Sequence, residues 1–409
     1  MDNNQRVLVE LLSLSIRGKR ASEEELVSVD WDAVLHLAQD HSVLPLVYTS
    51  LSSSSIDKYD LSKLKTITCR YTVQQVQNLE VLRHVIVEFE KADIPLLAMK
   101  GLALKNLYPI VETRTMCDFD LAVREENFDA AVLLLLKLGF RETGVARTVH
   151  AEMMYGDNLI IELHRKPFAG ERFNLSIKYL DSIWNNAVPL LICDKKTLTF
   201  SDHDTILNLF LHLANHFEIG GFGLRQLCDI VLFIEAKQEN IDWKKFYQDI
   251  ELLHITRFVI LIITICNQLF DMVIPEIFTT KLIQDERIEL FIQDIIEGGV
   301  YGKTSMVRSA SGSVIKKVGL MRNTGLGIFK AVLSFLFPSS KKLYIHYPYI
   351  NRFPFLLPIA WFHRWIFNLF FKERREIMKV FLKKDTAMES FKFIESHSEL
   401  VNWILEEEH

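Results

Sequence analysis

Strand-like sequence is concentrated in one stretch of this chain, from about residue 93 to 166, and this concentration most limits its possible folds. On both sides of the stretch, apolar residues recur every three to four positions, the spacing of amphipathic helices. Inside it, short apolar or alternating segments are bounded by glycine, proline and asparagine, which is typical of strands and turns. The pattern predicts an α+β protein in which a small mixed β-sheet is embedded in predominantly helical N-terminal, central and C-terminal segments.

The same pattern divides the chain into four predicted regions. These are a helical N-terminal region (1–92), a sheet-bearing core (93–166), a helical substrate or support domain (167–300) and a basic, aromatic helical extension (301–409). Within the core, five strands are predicted, at 95–99, 117–123, 140–143, 150–155 and 159–164. In the N-terminal region we expect Asp30 to cap a helix, residues 52–55 to form a loop, and residues 72–91 to form one long helix.

Composition excludes several classes of protein. The 409 residues are 49% hydrophobic and 24% charged, as in ordinary globular proteins. A formal net charge of −5 gives no strong nucleic-acid signal. The five cysteines form no CxxC or zinc spacing, which suits a reducing cytoplasm. Because no apolar run reaches the roughly 18 residues that span a bilayer, we expect a cytoplasmic protein, at most peripheral to a membrane.

Three acidic residues lie inside predicted strands. Asp118 and Asp120 are two positions apart, so on one strand both side chains would project from the same face. Glu162 is the lone acid of a second apolar strand, and pairing of the two strands would complete a three-carboxylate cluster. Buried carboxylates repel one another unless a cation accompanies them, and Mg²⁺ or Mn²⁺ prefers such oxygen ligands. We therefore predict that Asp118, Asp120 and Glu162 are catalytic and bind two metal ions, Asp118 and Asp120 contacting both ions and Glu162 the catalytic one.

Phosphate-binding residues are predicted close to these acids. Lys100 and Gly101 end a strand just before a helix, where backbone N–H groups and the helix dipole favour an anion. Arg114 is a nearby cation that could bind phosphate in bidentate fashion. His164 is two residues beyond Glu162 and shares its strand face, which suits contact with phosphate or the acceptor. An ordinary polar residue at a strand end is the alternative interpretation of His164.

The order of these features resembles a known superfamily. Residues 96–165 resemble the polymerase-beta-like nucleotidyltransferases, whose pattern is a strand-end glycine, a hydrophobic-Asp-hydrophobic-Asp strand and a third acid in a later strand. The longer run resembles the bacterial family of uncharacterised nucleotidyltransferases. The stretches that carry this resemblance are Lys100-Gly101, Tyr108-Pro109, Arg114, Asp118-Phe119-Asp120-Leu121, Gly139-Phe140, Ile161-Glu162-Leu163-His164 and Leu224-Arg225-Gln226-Leu227-Cys228-Asp229.

The resemblance implies an enzyme that moves a nucleoside monophosphate from a nucleoside triphosphate, expected to be ATP, to an acceptor hydroxyl. Pyrophosphate is released, and the acceptor would be a small molecule or biosynthetic intermediate. The alternative is a non-catalytic module that uses the same fold to bind a nucleotide or a partner. Retention of all three acids favours the enzyme.

Two other features leave alternatives open. His212 and His216 are four apart on a predicted helix, which suits either packing or substrate contact. Asp229 could pair with Arg225 at the same spacing or contact the acceptor. Residues 301–384 carry sixteen Lys and Arg but only two Glu, with an aromatic run at 353–375. This run is either a core helix with a basic end or a contact with an anionic membrane surface.

Overall fold

The computed structural model describes residues 1–59, 61–143, 150–168, 177–300, 307–308, 311–312, 333, 337–343, 347, 349–370, 379–380 and 383–405. Two compact units divide the chain. The first comprises residues 1–214 and 224–289, and the second comprises residues 215–223 and 290–409. This division cuts across the four regions predicted from the sequence, whose limits stay predictions.

Helices form most of the first unit. The N-terminal ones are α1 (Asn3–Ile16), α2 (Trp31–Asp40), α3 (Leu44–Thr49), α4 (Ser53–Lys58) and α5 (Ser62–Lys91). Asp30 caps α2 by accepting a hydrogen bond from the backbone N–H of Ala33, as predicted. The predicted loop at 52–55 is wrong, because Ser52 caps α4 in the same way. The predicted long helix at 72–91 is confirmed as the larger part of α5.

The later helices follow or interrupt the sheet. They are α6 (Gly101–Leu104), α7 (Phe128–Lys137), α8 (Ile177–Asn186), α9 (Asp202–Ile219), α10 (Leu224–Lys237), α11 (Trp243–Leu252), α12 (Thr256–Phe270) and α13 (Arg287–Gly298). Both α9 and α13 have residues in each unit. Single 3-10 turns at Lys105–Leu107 and Val111–Thr113 follow α6.

A seven-stranded mixed sheet lies in the first unit. Its strands are β1 (Leu97–Ala98), β2 (Phe119–Ala122), β3 (Arg141–Glu142), β4 (His150–Tyr155), β5 (Leu159–His164), β6 (Val188–Ile192) and β7 (Lys195–Thr199). Their order is β3-β4-β5-β2-β1-β7-β6, with β2 parallel to β5 and β1 parallel to β7. The predicted α+β class is confirmed.

The hairpin of β6 and β7 lies outside the stretch to which strands were assigned, so that part of the prediction is wrong. Its turn is made by Cys193 and Asp194, which both have positive φ (46° and 64°). Two-residue hairpin turns of this kind usually carry asparagine and glycine. Because neither position here is glycine, the sequence lacks the usual hairpin signal.

Alternation along the central strands separates an apolar face from a polar one. Phe119 and Leu121 of β2, with Ile161 and Leu163 of β5, are buried in the same core as residues of α5 and α7. The intervening residues therefore project from the opposite face of the sheet. This core holds β2 and β5 side by side and presents their polar residues together.

The described part of the second unit contains short helices and two longer ones. These are Ser340–Leu343, Tyr349–Arg352, Leu357–Phe370 and Lys384–Leu405. Residues 371–375, the end of the predicted membrane-contact run, lie outside the described residues. Among the helices that the structure describes, none has the length and apolar character needed to cross a bilayer.

Candidate active site

The junction of β1 and α6 directs a lysine towards the polar face of the sheet. Lys100 has φ 48° and ψ −122°, a conformation that non-glycine residues rarely adopt and that costs on the order of 1–3 kcal/mol. Its Nζ donates a hydrogen bond of 2.6 Å to Oδ1 of Asp120. Such strain persists where surrounding contacts enforce it, and the ion pair with Asp120 is one such contact.

Gly101, the next residue, is buried and begins α6. A Cβ at this position would lie 3.1 Å from the side chain of Met116 and 3.3 Å from Nη1 of Arg114. The absence of a side chain therefore allows the segment before β2 to approach α6 closely. Because α6 is one turn long, the structure has no extended helix dipole here.

The acids of β2 and β5 meet in register. Asp120 is paired with Glu162 across the parallel strands, so their side chains lie on the same face. His164 joins them, with Nε2 at 3.0 Å from Oδ1 of Asp120 and 3.5 Å from Oε2 of Glu162. One ligand atom from each of these three residues lies within 4.8 Å of the others. The predicted pairing of the two acid-bearing strands is confirmed.

Asp118 lies beside this cluster but outside β2. The strand begins at Phe119, so the expected position of Asp118 within the strand is wrong. The three-residue cluster of possible metal-binding atoms consists of Asp120, Glu162 and His164 and does not include Asp118. Burial and the nearby carboxylates of Asp120 and Glu162 raise the pKa of Asp118 to about 6. Asp118 therefore adds a further carboxylate at the edge of the cluster.

The two central carboxyls are held ionised by their cationic neighbours. Burial alone would raise the pKa of Asp120, but Lys100 and the hydrogen bond from His164 outweigh burial and hold that pKa well below its usual range. Burial acts against ionisation of Glu162 as well, and the hydrogen bond to His164 reverses the effect and lowers its pKa. Burial would lower the pKa of His164, yet its bonds to Asp120 and Glu162 raise it. Each buried charge thus has an opposite charge within reach.

This donor set fits a divalent cation. Carboxylate oxygens are the ligands that Mg²⁺ prefers, and an imidazole nitrogen is compatible with Mn²⁺. Two acids, Asp120 and Glu162, converge here. Among the described residues, their ion-pair partners are Lys100 and His164. The arrangement can therefore accept further positive charge.

Arg114 occupies a different environment from the one predicted. Its Nε and Nη2 donate to the two carboxylate oxygens of Asp229, at 2.7 and 2.6 Å, and both residues are buried. Tyr108 also donates to Asp229, at 2.8 Å. The predicted pair between Asp229 and Arg225 is wrong, because Asp229 lies against the segment before β2 instead. A phosphate-binding role for Arg114 stays a prediction.

Three residues near the cluster were not singled out as site residues in the sequence. The ring of His150 on β4 lies 5.2 Å from that of His164, and β4 pairs antiparallel with β5. The polar alternation of His150 and Glu152 could have indicated this. His212 of α9 and Arg225 of α10 act electrostatically on Asp120 and Asp118, respectively. Helical periodicity does not show that the side chain of His212 or of Arg225 lies near these acids.

Two comparisons with known proteins, against protein families and against solved structures, gave a match. A family model described as uncharacterised nucleotidyltransferase matches residues 27–271, which include all seven strands and every candidate site residue. No curated protein matches the chain. Among solved structures, the solution structure of the antibiotic-resistance factor ANT(2'')-Ia is similar, with 14% sequence identity and a TM-score of 0.33. That match covers 44% of this chain and 89% of the other.

Proposed function

Because the chain belongs to the family of uncharacterised nucleotidyltransferases, we propose that it is an active, metal-dependent member of that family. It transfers a nucleoside monophosphate from a nucleoside triphosphate, with ATP as the expected donor, to a hydroxyl of a small-molecule or biosynthetic acceptor. The acceptor oxygen forms the new bond to the α-phosphorus, and pyrophosphate leaves.

One observation carries this proposal: Asp120 and Glu162 lie in register on adjacent parallel strands, with Lys100 and His164 against them. Acids of like charge are costly to hold together in a buried site unless the site serves to bind a cation. Convergence of several such groups in a strained, partly buried position is typical of an active site.

Each proposed residue has a distinct role. Asp118, Asp120 and Glu162 hold Mg²⁺ or Mn²⁺, with His164 positioned as an additional donor. When bound, the metal neutralises charge on the triphosphate. Glu162, the most exposed carboxylate of the close cluster, also accepts the proton of the acceptor hydroxyl. Lys100, Gly101, Arg114 and His164 are the proposed contacts to the nucleotide phosphates.

A test of this function removes the charge of two carboxylates on neighbouring strands, one at a time. Glu162→Gln and Asp120→Asn should lower transfer of label from α-³²P-ATP to small-molecule acceptors by at least about a hundredfold, because each removes charge from the metal site. The matched control is Glu152→Gln, which changes the acid paired with Glu162 on β4. Glu152 bonds to Thr143 and lies outside the cluster, so its variant should keep most activity.

The result also separates an enzyme from a binding module. An enzyme should retain nucleotide binding in Glu162→Gln while losing turnover. A non-catalytic module should show no labelled product with the unchanged protein. Near-normal turnover in either Glu162→Gln or Asp120→Asn would contradict the proposed site.

We also propose that the second unit contacts an anionic membrane surface, the compartment being the cytoplasm. The helix Leu357–Phe370 and the turn before it expose an apolar stripe formed by Phe355, Ile359, Phe362 and Ile366. The spacing of four, three and four places these residues on one helix face. The surrounding sequence is strongly basic, which complements anionic lipid headgroups.

A further inference from the structure

Arg225, at the start of α10, is a buried arginine whose guanidinium is only partly bonded. The residue is 6% exposed. Its Nη1 donates to the carbonyl oxygen of Thr115 at 3.0 Å, and more weakly to the hydroxyl of the same residue. Its Nε is buried and has no hydrogen-bond partner among the residues that the structure describes. A guanidinium has five N–H donors, so much of its binding capacity remains available.

The charges around Arg225 do not balance. Arg114 and Arg225 both donate to the carbonyl oxygen of Thr115, which brings two guanidinium groups together. The carboxylate of Asp229 is bound by Arg114 through both of its oxygens. Within the described part of the chain, no carboxylate oxygen lies within ion-pair distance of Arg225. One buried positive charge therefore lacks an ion-pair partner, which is costly unless a ligand supplies the anion.

The position of Arg225 indicates which anion this is. Thr115, to which it is bonded, lies three residues before Asp118 in the segment that leads into β2. Arg225 is also one of the two cations that oppose the rise of the Asp118 pKa. An anion bound here would lie beside the carboxylates that hold the metal. In the proposed reaction, the nucleotide triphosphate is the anionic group that must occupy this place.

We propose that Arg225 is a phosphate-binding residue of this site, its guanidinium pairing with triphosphate oxygens of the nucleotide. The inference rests on the proposed function and adds a second arginine, beside Arg114, to its proposed phosphate contacts. Arg114 is paired with Asp229, whereas Arg225 has no ion-pair partner among the described residues and its Nε makes no hydrogen bond there. The planar fork of a guanidinium can bind two phosphate oxygens at once.

Binding of inorganic tripolyphosphate with Mg²⁺, measured by calorimetry, tests the role of Arg225 without requiring the acceptor or the base. Arg225→Gln keeps a donor for Thr115 but removes the charge, and it should weaken binding about tenfold to a hundredfold. Arg225→Lys keeps the charge without the fork and should weaken binding less. Arg83→Gln is the matched control, because Arg83 pairs with Asp194 and Glu80 away from the cluster. This variant should bind tripolyphosphate as tightly as the unchanged protein does.

A second measurement uses the unchanged protein, in case Arg225→Gln does not fold. With ¹⁵N-labelled arginine, the Nε resonance that disappears in Arg225→Lys belongs to Arg225. Tripolyphosphate with Mg²⁺ should shift this resonance and leave that of Arg83 in place.

The outcomes separate the inference from the proposed function. If the unchanged protein binds tripolyphosphate and a folded Arg225→Gln binds it within twofold as tightly, the role of Arg225 is overturned and the nucleotidyltransferase proposal stands. If the Arg225 resonance does not shift at saturating tripolyphosphate, the role of Arg225 is likewise overturned and the nucleotidyltransferase proposal stands. If the unchanged protein binds neither tripolyphosphate nor ATP with Mg²⁺, both proposals fail together.

Discussion

Single charged residues in this protein are held by partners that are distant in the sequence. Asp120 bonds to Lys100 and His164, and Arg114, in the segment before β2, bonds to Asp229 of α10. In each case the partner offsets the unfavourable burial of the charge. The chemical type of such a residue is visible in the sequence, whereas its partner depends on which strands and helices meet.

A buried histidine of the second unit leads to a prediction at the same scale. His397 donates through Nε2 to the carbonyl oxygen of Phe217 at 2.7 Å and stacks on Phe393. Burial lowers its pKa, and this outweighs Asp294, whose carboxylate is 4.0 Å away and is bonded to Arg308. The folded state therefore favours neutral His397.

Stability of the second unit should accordingly fall in acid. Because the folded pKa of His397 lies below that of the unfolded chain, its contribution is intact above about pH 6.5 and declines as the pH falls below that value. Urea unfolding followed by tryptophan fluorescence at pH 7.5 and 5.5 measures this loss. His397→Gln keeps a donor for Phe217 but does not titrate, so it should show a smaller loss. Equal losses in the two proteins would contradict the role of His397.

At the scale of elements, hydrogen bonds and an ion pair join the segment between α6 and β2 to α10. Tyr108 and Arg114 bond to Asp229, and the carbonyl of Thr115 accepts from Arg225. Burial and the Asp229 carboxylate raise the pKa of Tyr108 well above its usual value, so its hydroxyl remains a donor. These bonds set the place at which β2 begins and therefore the position of Asp118.

Loss of the Arg114–Asp229 ion pair should destabilise the protein more than loss of the Tyr108–Asp229 hydrogen bond. Asp229→Asn leaves Arg114 buried without its charge partner and should lower the free energy of unfolding by about 3 kcal/mol. Tyr108→Phe removes one hydrogen bond from the same carboxylate and should lower it by about 1 kcal/mol. Denaturant unfolding of the intact protein measures both. If Asp229→Asn proves no less stable than Tyr108→Phe, the ion pair does not fasten the segment.

At the scale of the whole molecule, the proposed membrane contact rests on the exposed apolar stripe of the second unit. Phe355 and Phe362 are 75% and 62% exposed, which is unusual for a pair of large apolar side chains on one face. Salt screens attraction between basic residues and anionic lipids but leaves apolar insertion largely intact.

The protein should therefore sediment with vesicles that contain anionic phospholipid, and less so when the salt concentration is raised. Replacing Phe355 and Phe362 by serine should reduce the bound fraction several-fold. The matched control replaces Leu252 and Val273, which are exposed apolar residues of the first unit, and should bind as the unchanged protein does. If the protein does not sediment with such vesicles at low salt, the apolar stripe has no membrane role.

Local pattern in the sequence was sufficient for the elements that carry the site. The alternation of Leu159–His164 placed Glu162 and His164 on one face, and both limits of β4 and β5 agree with the structure. These elements were predictable because side-chain alternation in a strand depends on neighbours two residues away. The hairpin of β6 and β7 was missed because its Cys193-Asp194 turn gives no glycine signal.

The sequence by itself determined the α+β class, the acidic residues and the strands that present Asp120 and Glu162. Only the tertiary structure decided that these acids are in register, that Arg114 binds Asp229, and that Arg225 reaches the segment before Asp118. The physical reason is that periodicity records which face of an element is apolar, over a few residues. The partner of a buried charge is selected by packing between elements that are 20 residues apart for Lys100 and Asp120 and 115 apart for Arg114 and Asp229, and periodicity carries no information about it.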